Sequence, residues 1–144
     1  MTMRTGVATF TRDEIEELNA PANRRVRSLV VGSLSLLGDL VRRYTGSMFM
    51  VQFPEEEVAL RLLHRRLEAL REYEPYWRRM AETVECYWRV RRVFEMHGPV
   101  PGVFELAQAT TDDLVDAWSS ITQYPHRIAA MNRLRPSKRR RATG

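Results

Sequence analysis

If residues 24–44 form a helix, its apolar residues lie on all sides of the helix instead of along one side. Between positions 29 and 41, eight of thirteen residues are aliphatic and only Asp39 is charged. A helix that is apolar nearly all round is usually buried. The run is shorter than a membrane span, which needs about 20 apolar residues. The pattern therefore predicts a central helix over residues 21–44 that is buried by other helices. Arginines stand at both of its ends, so we expect the ends to reach water.

Three further helices are predicted before residue 97. Thr11 and Glu14 have the spacing of a capping box, which predicts a short helix that ends near Leu18. Pro54 and the three glutamates after it predict the start of a second helix, in which leucines recur every three or four residues. Pro75 opens the last of the three, whose apolar stripe extends to residue 96. Residues 48–53 have a strand-like composition, but a lone strand has no partner, so an extended connection is favoured.

Residues 97–102 contain two glycines and two prolines, which predicts a break in the helical pattern. After the break we expect a short helix over residues 103–109, a second opened by Thr110 or Thr111, and a third over residues 125–134. The predicted fold is all-α: a single domain of five to seven helices around a central buried helix. The domain covers residues 11–134, between a flexible N-terminus (1–10) and a disordered basic C-terminal tail (135–144).

Composition favours a soluble protein inside a cell. The single cysteine, Cys86, excludes an internal disulfide framework, and residues 1–10 lack the apolar core of a signal peptide. We therefore expect an intracellular protein with no membrane partner, cytoplasmic or nucleoid-associated, or in the host nucleus if it comes from a eukaryotic virus. The basic residues are 22 arginines and one lysine, a ratio that favours a GC-rich genome of actinobacterial, phage or viral origin.

The net charge of +5 is unevenly distributed. Residues 126–144 carry +7, whereas residues 1–125 carry −2. Charge segregated in this way predicts phosphate contacts by the tail, although an import signal or a solvated end has the same composition. A second set of arginines interleaves with aromatic residues over residues 76–92, which indicates either a stacking and phosphate surface or core aromatics. The tail residues expected to contact nucleic acid are Arg133, Arg135, Lys138, Arg139, Arg140 and Arg141.

Residues 104–118 resemble a helix-turn-helix unit, with a polar turn near Thr111 and with Val115 and Trp118 as anchors of the second helix. Three aspartates, Asp112, Asp113 and Asp116, would place negative charge where such a helix meets phosphate. A plain helical hairpin that packs on the core is the alternative interpretation. The same aspartates with His126 have donor types that suit a metal ion, but Thr-Asp-Asp at a helix start is typical of capping.

Glu82 and Glu85 have an E-x-x-E spacing that resembles the magnesium site of some all-α nucleotide pyrophosphatases. Arg78 and Arg89 lie one helical turn away on either side, which favours two surface ion pairs instead. The sequence contains no set of nucleophile, base and orienting residue. We therefore expect a protein that is not an enzyme and holds no cofactor or metal.

The sequence thus predicts a small regulatory or accessory protein that contacts nucleic acid through its basic tail and its arginine-rich helix faces. The alternative is a helical protein-interaction or assembly factor, such as a viral or phage accessory protein, with a protein partner or a second copy of itself. A magnesium-dependent nucleotide hydrolase is a third, more distant hypothesis.

Overall fold

The computed structural model describes residues 4–45 and 56–134. Within these ranges the chain is helical and contains no strand, so the all-α prediction is confirmed. The described helices are α1 (Arg12–Leu18), α2 (Arg24–Arg42), α3 (Glu56–Leu70), α4 (Glu74–His97), α5 (Pro101–Thr122) and α6 (Tyr124–Arg133), with a short 3-10 turn at Pro21–Asn23 before α2. None of these helices has both the length and the apolar character needed to cross a membrane.

Helix α2 lies at the centre of the domain, as the sequence predicts. It packs against α5, α3, α4 and α1. Val30, Leu37 and Leu40 are completely buried, and burial of one such side chain stabilises the fold by about 1.5–3 kcal/mol. Ser33, also buried, donates a hydrogen bond to the Leu29 carbonyl over 2.8 Å, so its hydroxyl is satisfied inside the helix. The contacts of α2 therefore organise the whole core.

The N-terminal segment differs from the prediction of a flexible end, because residues 4–10 pack against α4 and α5. The Thr5 hydroxyl donates to Asp113 Oδ2 over 2.7 Å, and the Ala8 amide donates to Thr83 Oγ1 over 3.3 Å. Thr5 and Phe10 are buried. The segment is held against α4 and α5 by the burial of these two side chains and by the two hydrogen bonds. The helix that follows, α1, begins with the predicted capping box between Thr11 and Glu14.

The region after the break also differs from the prediction, since α5 is one continuous helix where two short helices were expected. The hydroxyls of Thr110 and Thr111 donate to the carbonyls of Leu106 and Ala107, four residues earlier, over 2.7 and 2.8 Å. Both threonines are buried inside the helix and do not cap a new one. The buried positions continue without a change of period from Val103 to Ile121. The helix-turn-helix hypothesis is therefore wrong, because α5 runs through the place where the turn was expected.

Two other expectations concern segments outside the described residues. The strand-like run 48–53 lies between α2 and α3 in the undescribed range, and the basic tail from residue 135 onward lies beyond α6. Of the tail residues expected to contact nucleic acid, the structure describes only Arg133. It is exposed in the last turn of α6.

Candidate functional site

The arginines of the described residues fall into two groups, according to whether a carboxylate lies within ion-pair distance. The most enclosed example of the first group surrounds Glu56, at the start of α3. Arg43 Nη1 is 3.0 Å from Glu56 Oε2, and Arg91 Nη1 is 2.6 Å from Oε1. The Tyr87 hydroxyl donates to the same Oε1 atom. This Glu56 cluster joins the end of α2, the start of α3 and the middle of α4.

The Glu56 cluster is partly withdrawn from water, and the pKa values of its members reflect this. Burial, followed by the hydrogen bond to Glu56, raises the pKa of Tyr87 well above its ordinary value. The hydrogen bond from Arg91 Nε to Glu95, 3.0 Å long, raises the pKa of Arg91, while desolvation lowers it. Both carboxylate oxygens of Glu56 are occupied by donors. The cluster can therefore tie three helices together, but it offers no free base or metal ligand.

Arg79 of α4 has a similar structural role at the other side of the domain. Its Nε lies 2.7 Å from Glu14 Oε2 on α1, and its Nη1 donates to the Thr9 carbonyl. Its guanidinium also stands 5.4 Å from the centre of the Phe10 ring. Arg79 thus holds the N-terminal segment and α1 against α4, and its guanidinium is occupied by these internal contacts.

The aromatic residues that alternate with arginines along α4 are mainly core residues. Tyr76 and Tyr87 are buried, and burial raises the pKa of Tyr76 to about 12. Trp88 is exposed, but Arg91 covers one of its faces, with 5.4 Å between the guanidinium carbon and the ring centre. The interpretation as core aromatics holds for Tyr76 and Tyr87, whereas Trp88 and Arg92 are exposed, so the stacking and phosphate surface over residues 76–92 stays a prediction.

The second group, with no carboxylate within 4.0 Å in the described chain, includes five arginines where α2 and α3 run antiparallel; its other members are Arg4, Arg27, Arg89, Arg92, Arg127 and Arg133. The Arg66 guanidinium lies directly over Gly32 of α2: a Cβ atom at position 32 would meet Arg66 Nη1 at 2.5 Å and Cζ at 2.7 Å. A glycine is therefore required for Arg66 to lie in this position. Arg25 precedes Gly32 by seven residues, two helical turns or about 10.5 Å along the same side of α2. Ser28, exposed, lies between them.

Arg61 and Arg65 extend this surface along α3. They are exposed and one helical turn apart, which makes them neighbours on the helix surface. Among the described residues, no carboxylate comes within 4.0 Å of any of these side chains. We call this set the α2–α3 arginine surface; it consists of Arg24, Arg25, Arg61, Arg65 and Arg66.

The carboxylates that sequence reasoning considered for metal binding are dispersed. Asp113 accepts a hydrogen bond from Thr5, and Asp112 accepts one from Gln108 Nε2 over 2.9 Å. Glu82 and Glu85 are exposed on α4. No group of three or more potential ligands among histidine, cysteine, aspartate and glutamate occurs in the part of the chain that the structure describes. The residues predicted as candidates for metal, Asp112, Asp113, Asp116 and His126, therefore form no cluster there.

The ion pairs predicted for Glu82 and Glu85 are also absent from the described residues. Arg78 Nη2 pairs with Glu74 Oε1 over 2.8 Å, in the opposite direction along the helix. Arg89 Nη1 donates to the carbonyl of Arg4 over 3.1 Å. The tertiary position of the N-terminal segment, which the sequence did not reveal, provides this partner for Arg89.

A groove between α2 and α5 is a concave feature that sequence reasoning missed. Its apolar part has a volume of about 210 Å³, with Leu34 and Gly38 on one side and Val115 and Trp118 on the other. Arg42 and Val115 also line a more polar part of about 410 Å³, which continues to Gln108. The two parts share Arg42 and Val115 in their lining, and we call them together the α2–α5 groove. Gly38 leaves space on the α2 side of the groove, because a Cβ atom at this position would have no neighbour within 4 Å.

Comparison with known proteins found no matching family model, no matching curated protein and no matching solved structure. Any function must therefore be inferred from the surfaces described above.

Proposed function

We propose that the protein is a non-enzymatic regulatory or accessory protein that contacts nucleic acid through phosphates. The α2–α3 arginine surface and the basic residues 133–141 provide the contacts. The observation that carries the proposal is the separation of the arginines into two groups. Residues such as Arg43, Arg79 and Arg91 are committed to internal carboxylates, whereas the arginines of the α2–α3 surface have none within ion-pair distance in the described chain.

The chemistry of the surface suits phosphate. A guanidinium presents a planar fork of donors that matches two phosphate oxygens, and it stays charged at any physiological pH. Ser28, exposed on α2 between Arg25 and Gly32, adds a hydroxyl donor. Contacts of this kind fix the position of a protein on a nucleic acid but do not read its sequence. We therefore expect little sequence preference.

The tail adds a second region of positive charge. Residues 126–144 carry +7 while the rest of the chain carries −2, so the net positive charge that attracts polyanions is concentrated in the C-terminal segment. Two weak contact regions on one chain bind together more tightly than either does alone, because the second contact forms at high effective concentration. The proposal therefore requires that loss of either region weakens binding.

The first test replaces Arg61, Arg65 and Arg66 with glutamine in one variant. A matched control replaces Arg42, Arg71 and Arg78, three exposed arginines that each pair with a carboxylate on their own helix or just beyond it. Affinity for duplex DNA is measured across a salt series, with thermal melting as the folding check. The first variant should bind more weakly, and its log-log salt slope should become shallower by about 0.9 for each phosphate that it no longer neutralises. Equal weakening in both variants would contradict a role for the α2–α3 surface.

The second test deletes residues 135–144. Because this segment follows the last helix, the melting temperature should hardly change, whereas the affinity for nucleic acid should fall. Three or four contacts by the five basic residues removed correspond to a slope of about −3 to −4. If the truncated protein binds as tightly as the full chain, the tail is a solvated end or an import signal.

A second candidate function, a helical assembly or interaction factor, is favoured by a different observation. Helix α6 has no buried residue. Met131 on α6 and the adjoining Leu134 are exposed, which is typical of a surface that packs against a partner.

A further inference from the structure

Helix α6 has no packing partner among the described residues that explains its stability. None of its ten residues is buried, and Met131 and the adjoining Leu134 are 47% and 81% exposed. Isolated helices shorter than about 12–15 residues are marginal in water, even with favourable sequences. A helix of this length therefore needs a surface that covers its apolar side.

The α2–α5 groove has the apolar surface and the length that such a helix requires. Val115 and Trp118 border it and are 42% and 36% exposed, while Leu34 and Leu114 close its floor. From Gln108 to Trp118 the groove follows about 15 Å of α5, and ten residues of α6 also span about 15 Å. Gly38 leaves the α2 side of the groove open to an approaching helix.

The charges of the groove and of α6 are opposite. Asp112, Asp116 and Asp39 line the groove, and Arg42 is the basic residue that lines it with them. On α6, Arg127 and Arg133 have no carboxylate within 4.0 Å among the described residues. The exposed apolar residues of α6 are thus flanked by arginines, and the apolar groove is bordered by aspartates. Opposite charges favour the pairing of these two surfaces over a pairing of surfaces with like charge.

The α6 of the same chain cannot enter the groove. Gln123 alone links α5 to α6, and its backbone is helical, with φ −86° and ψ −10°. Two antiparallel helices need a loop of about 2–5 residues between them. In addition, Tyr124 lies beside Glu16 of α1, where partial burial and then the Glu16 carboxylate raise its pKa. With a one-residue link in helical conformation, α6 therefore does not fold back onto the groove beside α5.

We propose that the protein forms a two-fold homodimer in which α6 of each copy lies in the α2–α5 groove of the other. A two-fold axis makes the exchange reciprocal, so both helices and both grooves are covered and no further copy is recruited. Met131 and Leu134 are the anchors, and Trp118 and Val115 are the residues that receive them. This inference concerns assembly only and does not depend on the proposed nucleic-acid contact.

Three variants test the dimer: Trp118→Glu and Val115→Glu on the groove side, and a double variant with Met131→Glu and Leu134→Glu on the α6 side. Molecular mass is measured by sedimentation or light scattering over a dilution series, without nucleic acid. The unmodified chain should be a dimer, and each variant should raise its dissociation constant roughly tenfold or more, since an apolar anchor becomes a buried charge. Helical circular dichroism checks folding; Val115→Glu keeps the groove test usable if Trp118→Glu unfolds.

The decisive experiment mixes a groove variant with the α6 double variant. Each variant alone should dimerise weakly, but in the mixture one intact α6 meets one intact groove, so heterodimers should form with an affinity between that of the unmodified chain and that of either variant. Two controls, Leu62→Glu on α3 and Met96→Glu on α4, change exposed apolar residues elsewhere and should leave the mass unchanged. A monomeric unmodified chain, or a mixture that forms no heterodimer, would overturn the proposal.

Discussion

The Glu56 cluster and the α2–α3 arginine surface both include residues of α3 and use arginine in opposite ways. In the cluster, Arg43 and Arg91 converge on one carboxylate, with the Tyr87 hydroxyl as a third donor. A few turns away, Arg66 lies over Gly32 with no carboxylate within 4.0 Å in the described chain. The number of arginines in a sequence therefore says little about affinity for polyanions. What matters is which of them the fold has already paired.

The difference has a physical cause. A carboxylate drawn partly out of water at a helix end can hold arginines from two other helices at once, and removal of one partner leaves the others unsatisfied. Exposed pairs within a helix, such as Arg78 with Glu74, contribute only about 0.2–1 kcal/mol. Stability should therefore respond strongly to changes in the cluster, whereas binding should respond to changes on the arginine surface.

The largest expected effect concerns the core that supports both regions. Leu37 is completely buried on α2, and an unpaired carboxylate there should cost several kcal/mol, so Leu37→Asp should unfold the protein or leave it insoluble. Leu62→Asp, on the exposed side of α3, is the matched control and should melt almost normally. A normal melting transition for Leu37→Asp would show that α2 is not the centre of the core.

Within the cluster, Glu56→Gln should lower the free energy of unfolding by about 1–3 kcal/mol, because an amide donor then faces the donors of Arg91 or Arg43. Glu57→Gln, one residue later on the exposed side of α3, should change it by less than about 0.5 kcal/mol. Denaturant titration of both variants measures the difference. Equal stabilities would remove the contrast between the two groups of arginines.

The same cluster predicts how stability depends on pH. Burial and the Glu56 hydrogen bond raise the pKa of Tyr87 in the folded protein above the ordinary value of 10.0. The folded state thus holds the proton more tightly than the unfolded state. The resulting stabilisation is complete below pH 10.0 and is lost as the pH rises through the folded-state pKa. Tyr87→Phe should make the fall in the free energy of unfolding above pH 10.0 less steep, by up to about 1.4 kcal/mol per pH unit. An unchanged slope in unfolding measurements above pH 10.0 would contradict the prediction.

The smallest effect on stability is expected on the arginine surface itself. Gly32→Ala places a Cβ atom where the Arg66 guanidinium lies, and the flexible end of that side chain can move aside. Alanine in a helix is favoured over glycine by about 1 kcal/mol, so stability should be unchanged or slightly higher. Affinity for nucleic acid should nevertheless fall, as measured by the salt series. Unaltered affinity would show that the position of Arg66 over Gly32 does not matter for binding.

The sequence by itself determined the helical class, the central position of α2, the capping box of α1 and the proline starts of α4 and α6. These features depend on residues within one or two helical turns of each other, and the periodicity of apolar residues records them directly. It did not reveal that α5 is continuous. Thr110 and Thr111 suit a helix start and a helix interior equally well in sequence, because the same hydroxyl can cap a helix or bond back to a carbonyl four residues earlier.

Only the tertiary structure decided which charged groups meet. Glu14 and Arg79 are far apart in the chain, as are Glu56 and Tyr87, so no local pattern indicates that they are partners. Local spacing instead suggested pairs for Glu82 and Glu85 that do not form among the described residues, because Glu74 and the Arg4 carbonyl take the neighbouring arginines. Pairing follows distance in space. The α2–α5 groove and the α2–α3 arginine surface exist only once helices distant in sequence lie side by side.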